Sequence, residues 1–277
     1  MKNIKIMVNG LPGQMAEAAA SEAIRDERVT LIPCSLTGPE ITRNTHTVEN
    51  VDISLITPEK RDEKISDLIQ TQGPFISVDY THPSAVNANA RYYCEKNLPF
   101  VMGTTGGDRE LLLSTVAASG IPAVIAPNMA KQIVGLQAMM EFAADNFQDL
   151  FRGYSLSVRE SHQKGKADTS GTAVAMVKYF NGMGVPFSVD RIQKERDPET
   201  QEKSWGVPRE HLPGHAWHTY TLVSEDGTVK FEFTHNVNGR AIYAKGTMDA
   251  VCFLQKKIEE GVTGKAFTMI EVMKGRL

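Results

Sequence analysis

The sequence predicts an α/β protein: a Rossmann-like, doubly wound parallel sheet, with a second α+β domain carrying a mostly antiparallel sheet. Residues 1–130 alternate short apolar strand patterns with helical ones, as a parallel sheet covered on both faces does. A glycine turn joins the first strand to the first helix. After Pro127 the rhythm changes to half-buried, alternating strands, two of them joined by Asp226-Gly227, a hairpin signal.

In order, the first strand spans Lys2 to Asn9, where Ile4, Ile6 and Val8 alternate. The turn Gly10 to Met15 follows, then an Ala/Glu-rich helix through about Arg25. A second strand, Val29 to Leu36, completes a βαβ unit. Next come a turn-rich stretch, Thr37 to Asn50, and a helix over Lys60 to Thr71. The alternation continues with strands at Phe75–Asp79, Pro99–Met102 and Ile121–Ala126, and helices at Ser84–Lys96 and Arg109–Ser119. Beyond it lie an amphipathic segment, Ile133 to Phe147, and a half-buried strand, Tyr154 to Arg159. A helix over Thr172 to Asn181 stops at Asn181-Gly182. The hairpin pairs Thr219–Val223 with Val229–Thr234, and a last apolar helix, Gly246 to Glu259, is expected to return to the first domain.

The 277 residues suffice for two ordinary domains. Lys and Arg number 30 against 33 Asp and Glu, so the net charge of -3 gives no global attraction to nucleic acid or to an anionic membrane. No apolar run approaches the roughly 20 residues of a membrane span, and the N-terminus shows no secretory or transit-like pattern. Cys34, Cys94 and Cys252 are few, distant and odd in number, which fits buried free thiols in a reducing compartment. The expectation is a cytoplasmic two-domain enzyme without membrane or nucleic-acid partners.

Gly10 and Gly13 let the backbone approach a pyrophosphate, whose charge a helix N-terminus stabilises. Pro12 stands where a middle glycine would be and cannot donate a hydrogen bond, so Gly spacing alone reads equally as an ordinary βα turn. The N-terminal placement and the βαβ rhythm favour a dinucleotide cradled by Gly10, Leu11, Pro12, Gly13, Gln14 and Met15. The second strand ends at Cys34-Ser35-Leu36-Thr37 without an acid for a ribose diol, and Glu40 comes too late. That favours NADPH, with NADH as the alternative, contacted by Ser35 and Thr37 and with Arg43 nearby. Gly103-Thr104-Thr105-Gly106-Gly107 and Ala126-Pro127-Asn128-Met129 also follow strand ends, where open α/β sheets place ligands. The first suits a nicotinamide ribose or carboxamide, and reads equally as a tight turn with an N-cap.

The densest chemistry lies in Arg159 to Thr172, between a strand end and a helix start. Ser170, Gly171 and Thr172 would put hydroxyls and N–H groups at a helix N-terminus, a natural carboxylate site. Lys164 and Lys166 add local positive charge, and His162 titrates near neutral pH. Singly, each reads as a solvated loop residue; together they suit an acidic substrate that receives a proton. His211, His215 and His218 invite a metal reading, but Pro213-Gly214 breaks their register and the nearby acids are poorly spaced, so no metal is expected. No GxSxG elbow supports a hydrolase.

Gly10-x-x-Gly13-x-Met15, Gly103-Thr104-Thr105-Gly106, Pro127-Asn128-Met129 and, above all, His162-x-x-x-Lys166-x-Asp168-x-Ser170-Gly171-Thr172 resemble 4-hydroxy-tetrahydrodipicolinate reductases. The resemblance runs in order along nearly the full chain, with Thr234-His235 and Arg240 at the family's late strand motif. It implies a dinucleotide-binding domain, 1–130 with 241–277, and a substrate-binding and oligomerisation domain, 131–240. It also implies reduction of a small dicarboxylate in lysine and diaminopimelate biosynthesis, by a homodimer or homotetramer. His162 and Lys166 would be the proton-donor pair, and Gln163, Ser170, Gly171 and Thr172 the substrate contacts. The glycine turn, Gly103 to Thr105, Ala126 to Met129 and Arg240 would serve the cofactor.

Gln163, where the commoner bacterial form has a second His, Thr169 in place of a Pro, and Gly214-His215-Ala216-Trp217-His218 are closer to the plant and cyanobacterial branch. A plastid stroma is the expected compartment for a mature plant form. Two other readings stand beside this one: another Rossmann oxidoreductase of an amino-acid-derived acid, and a catalytically silent nucleotide-binding regulator.

Overall fold

The structure, a computed structural model, describes residues 3–275. Lys2, at the head of the first predicted strand, lies outside them, as do the outermost residues 1, 276 and 277 of the expected first domain. The chain divides into two compact units, Met1–Lys131 with Ala241–Leu277, and Gln132–Arg240.

The first unit contains β1 (Ile4–Asn9), α1 (Gln14–Arg25), β2 (Val29–Leu31), β3 (Cys34–Leu36), β4 (Thr45–Val48), β5 (Val51–Ile56), α2 (Arg61–Gln72), β6 (Ile76–Asp79), α3 (Val86–Glu95), β7 (Phe100–Met102), α4 (Arg109–Ala117) and β8 (Ala123–Ile125). Of the second unit, α5 (Lys131–Asn146), β9 (Tyr154–His162), α6 (Gly171–Gly182), β10 (Gln193–Glu195), a single turn α7 (Pro198–Thr200), β11 (His215–Ser224) and β12 (Lys230–Asn238) follow. The chain then re-enters the first unit with α8 (Ala241–Glu259), β13 (Ala266–Phe267) and α9 (Met269–Lys274).

Six strands form a wholly parallel sheet in the order β13-β8-β7-β6-β1-β2. Ile6, Met7 and Val8 are almost wholly buried because helices cover both faces. Buried Ala16, Ala19, Ala20 and Ala23 give α1 a small-residue face, and α1 packs against α8. The predicted strand Val29–Leu36 is in fact two. Pro33 lacks a ladder donor and breaks it, so β2 pairs with β1 while β3 joins β5 in a separate three-stranded sheet, β3-β5-β4. Thr37 to Asn50, expected as turns, therefore contains β4.

In the second unit β9, β11 and β12 run antiparallel, with β10 added in parallel to β9. One face packs on α6: Ala173, Met176, Val177 and Phe180 meet Leu156, Val158, Tyr220 and Leu222. The strand predicted to stop at Arg159 continues through His162, because β11 pairs with it along its whole length. All three cysteines are unpaired, though half-buried rather than fully buried. Among the described residues no helix is long and apolar enough to cross a membrane.

Candidate active site

In the first unit the strand order reverses between β1 and β6, and the crevice at their carboxyl ends is where open α/β sheets bind ligands. Gly10 has φ +106°, and a Cβ there would lie 2.2 Å from the Tyr80 carbonyl oxygen. The Gly13 N–H donates to Gly10 O at 2.8 Å, and no side chain caps α1 at Gly13. The turn is thus pressed against the end of β6, and α1 starts there without a side-chain cap. A cleft of about 870 Å³ is lined by Gly10, Leu11, Pro12, Gly13, Thr37 and Arg61, among others. A pocket of about 240 Å³ is lined by Met15, Gly103, Thr104, Thr105, Pro127 and Met129 with Tyr243. Tyr80 and Thr81 line both. Burial pushes the Tyr80 phenol up to about 12, which keeps its proton for the 2.5 Å hydrogen bond with Thr247.

These loops are tied to one carboxylate. Asp79, the last residue of β6 and wholly buried, accepts from Tyr93 Oη (2.7 Å), Thr104 Oγ1 (2.6 Å), Asn89 Nδ2 (3.1 Å) and both the N–H and Oγ1 of Thr81 (3.1 and 2.8 Å). Asn9, equally buried, joins Tyr93 Oη to the Leu36 N–H. A buried carboxylate is tolerable only when its lone pairs are satisfied, and here the donors come from the loops at Thr81 and Thr104 and from Asn89 and Tyr93 of α3.

Several residues expected as cofactor contacts hold bonds within the protein. Ser35 is wholly buried; its hydroxyl accepts from the Leu11 N–H at 3.3 Å, which braces the turn. Thr37 lines the cleft but donates to Leu11 O at 2.9 Å. Ala126 is buried with its N–H bonded to Met102 O, and Asn128 Oδ1 accepts from the Ala130 N–H. Gln14 is exposed at the start of α1. Arg240 closes the second unit, packed over Gly214. The cation lining the cleft is Arg61, whose guanidinium lies 3.9 Å from the Tyr92 ring centre, whereas exposed Arg43 is not among the lining residues.

In the second unit the end of β9 gathers a polar core. Glu160, wholly buried, accepts from Arg196 Nη2 at 2.5 Å and from the Ser170 N–H at 3.0 Å. His162 Nδ1 and His218 Nε2 each lie 3.9 Å from its oxygens, and the two imidazoles meet edge to face at 5.0 Å. Burial, then the Arg196 and Lys166 cations, lower the His162 pKa to about 3, so the ring is neutral at pH 7. Burial pushes His218 down as well. Lys166 Nζ lies 2.8 Å from exposed Asp168.

Ser170 is buried, with its N–H on Glu160 and its hydroxyl 2.9 Å from His218 Nε2. It therefore frames the site; its polar groups are already committed within the protein. Gly171 and Thr172 begin α6, which no side chain caps, and a Cβ on Gly171 would meet nothing within 4 Å. Uncapped helix starts of this kind suit an anion. Gln163, directly after His162 in sequence, is half-buried. Ligand-type atoms of Glu160, His162 and His218 lie within 4.8 Å of one another. The Arg196 guanidinium already neutralises Glu160, so a metal cation there would face a resident positive charge.

Residues 4–129 match the family model described as "Dihydrodipicolinate reductase, N-terminus", and residues 133–273 the one described as "Dihydrodipicolinate reductase, C-terminus". The chain belongs to the dihydrodipicolinate reductase family. It is 47% identical to "4-hydroxy-tetrahydrodipicolinate reductase 2, chloroplastic" of Arabidopsis thaliana over 98% of this chain and 77% of that one. It is 45% identical to the "Probable 4-hydroxy-tetrahydrodipicolinate reductase 2, chloroplastic" of Oryza sativa subsp. japonica, over 97% of this chain and 82% of that one. The 4-hydroxy-tetrahydrodipicolinate reductase of Thiobacillus denitrificans is 25% identical, over 91% of this chain and 94% of that one. The fold is that of the dipicolinate-bound dihydrodipicolinate reductase from Paenisporosarcina sp. TG-14, with a TM-score of 0.65 at 20% identity, covering 96% and 97% of the two chains.

For a dihydrodipicolinate reductase, the residues that sequence reading passed over are the buried ones. Glu160 shares the core-facing parity of Leu156 and Val158 on β9, and a carboxylate at that parity is a legible signal. Asp79 ends an apolar strand and could be found the same way. Arg61 and Arg196 carry no local signal, since tertiary contacts alone bring them to their partners.

Proposed function

We propose that the protein reduces 4-hydroxy-tetrahydrodipicolinate to tetrahydrodipicolinate in lysine and diaminopimelate biosynthesis, with NADPH as the preferred donor and NADH as the alternative. The observation that carries this reading is the convergence of His162, Lys166 and the open start of α6 at the end of β9. It combines an anion-binding helix terminus with a proton source, as a dicarboxylate that gains a proton requires.

Gly10 to Gly13, Thr37, Gly103 to Thr105 and Met129 would hold the dinucleotide, with the α1 start on its pyrophosphate. The cleft fits that group: Gly10 is pressed against Tyr80 O, so the backbone itself forms the wall, and Arg61 supplies a cation for a 2′-phosphate. When bound, the nicotinamide supplies the reducing equivalent. The N–H groups of Gly171 and Thr172 hold one substrate carboxylate, and Gln163 and Lys166 flank it. His162 is neutral in the free protein, so the Lys166 ammonium carries the pair's proton. The substrate's 4-hydroxyl leaves as water together with a proton of the adjacent ring carbon, and that adjacent carbon receives the Lys166 proton once the carbon the hydroxyl left is reduced. A dianionic substrate offsets the neighbouring cations and draws the His162 pKa upward, which lets the imidazole share in that transfer.

A homodimer or homotetramer belongs to this reading, supported by exposed Met139, Phe142, Phe147 and Leu150 on and after α5. The compartment is the cytoplasm, or the plastid stroma for a plant chain, in line with the chloroplastic relatives. The test is loss of NADPH absorbance when the purified protein meets freshly made product of the preceding synthase. No consumption above the protein-free rate would refute the proposed activity.

A further inference from the structure

We infer that Arg196 is a positioning residue for the reaction: its guanidinium clamps the 163–170 loop so that Lys166 stands ready beside His162. The inference rests on the role given above to Lys166.

The loop from Gln163 to Ser170 has no regular secondary structure. Left free, each of its residues would lose backbone entropy when substrate binding ordered it. Arg196 sits immediately after β10, whose parallel pairing sets Glu195 opposite Ser161 on β9. From there its planar fork bonds the chain at four points. Nε donates to Lys166 O at 2.9 Å, Nη1 to Glu195 O at 2.8 Å, and Nη2 to Glu160 Oε1 at 2.5 Å and to Asp168 O at 3.4 Å. Two of those acceptors are main-chain carbonyls of the loop itself, one of them belonging to Lys166. Glu160 closes the far side by accepting the Ser170 N–H, so the middle and the C-terminal end of the loop are tied to one ion pair.

Gln201, fully buried, extends the clamp by donating to His162 O at 2.7 Å and to Glu195 O at 3.1 Å. The segment 195–201 is therefore shaped around the main chain of both proton-donor candidates. A lysine at 196 keeps the charge opposite Glu160, but a single ammonium cannot span Lys166 O, Glu195 O and the carboxylate together. An ion pair serving stability alone would have no need of the carbonyl of Lys166.

The test is a double-mutant cycle of Arg196→Lys and Lys166→Ala in the full-length protein, read as kcat, KM for substrate and for NADPH, and melting midpoint. Displacing a catalytic group by about 1 Å costs on the order of a hundredfold in rate. Arg196→Lys is accordingly expected to lower kcat by roughly tenfold to a hundredfold, leaving the NADPH KM unchanged. In the Lys166→Ala background the same change should cost less than about twofold, because nothing remains to position. Equal losses in both backgrounds, or an unaltered kcat in Arg196→Lys, would overturn the inference while leaving Lys166 in its role. A Lys166→Ala variant with full turnover would overturn that role and this inference with it. Should Arg196→Lys not fold, Glu160→Gln with Arg196→Gln removes both charges together, leaves no isolated buried charge, and is expected to show the same non-additive loss.

Discussion

Gly246 lies inside α8, where helix propensity alone favours alanine by about 1 kcal/mol. The packing opposes this. A Cβ at 246 would stand 1.8 Å from Met129 O and 2.9 Å from Met129 C, with Met269 Cε at 3.4 Å. Real Cβ contacts begin near 3.0 Å, so helix and loop would have to part by more than 1 Å. The obstacle is backbone, with no flexible tip to swing away. Forcing an extra methyl into such a contact costs about 1–3 kcal/mol and sometimes more. Taking about 3 kcal/mol for this severe overlap, Gly246→Ala loses a net ~2 kcal/mol after the propensity gain. At about 2–4 °C per kcal/mol for a unit of this size, the melting midpoint should fall by roughly 4–8 °C. Met129 lines the same pocket as Gly103 and Thr104, so its displacement should also raise the KM for NADPH. Thermal unfolding followed by circular dichroism, with cofactor titration beside it, measures both. A midpoint equal to or above the parent's would show that helix propensity outweighs the contact, and the reasoning from the Met129 overlap would fail.

Lys166→Ala should lower turnover by about 10²–10⁴-fold with little change in NADPH affinity, as read by steady-state kinetics and cofactor binding. Arg61→Ala should raise the KM for NADPH by about tenfold or more, the worth of one charge-assisted contact, while that for NADH changes little; equal effects on both would remove Arg61 from the 2′-phosphate. Stability should fall with acidification: the His162 pKa is held to about 3, below its unfolded value of 6.5, so the unfolded chain alone takes up this proton in between. The contribution is whole above pH 6.5 and declines toward pH 3, by at most about 1.4 kcal/mol per pH unit for one histidine. Urea unfolding at pH 7.5, 6 and 5 should show that decline, and His162→Gln should make it shallower, with His215, His218 and His235, also lowered by burial, supplying the remainder.

What was legible in the sequence follows from which signals are local. Ile4, Ile6 and Val8, the glycine turn and the Ala-rich α1 declare themselves because each rests on neighbours within one element. The Asp226-Gly227 turn joins two strands, but their extents were read too short: β11 reaches back to His215 and β12 runs on to Asn238, lengthened by cross-strand pairing. Pro33 was the visible mark of the break between β2 and β3, yet the apolar residues on both sides read as one strand. The site was legible as a set of residues, from His162 to Thr172, and less so as a set of tasks. The hydroxyls of Ser35 and Ser170 suggest ligand contacts in the sequence, but only the fold reveals that both are buried and hydrogen-bonded within the protein.

The two units solve the same problem in the same way. A ligand site needs loops held still before the ligand arrives, but a loop has few hydrogen bonds of its own to hold it. In one unit Asp79 at the end of β6 takes donors from Thr81, Asn89, Tyr93 and Thr104; in the other Glu160 near the end of β9 takes them from Ser170 and Arg196. Burying a carboxylate is costly unless it is fully bonded, and that cost is what gives the arrangement its rigidity. A loop that moved would strip a donor from a group with no water to replace it. The strand supplies the fixed point, the carboxylate makes departure from it expensive, and residues such as Thr104 and Lys166 inherit their positions from that bond network.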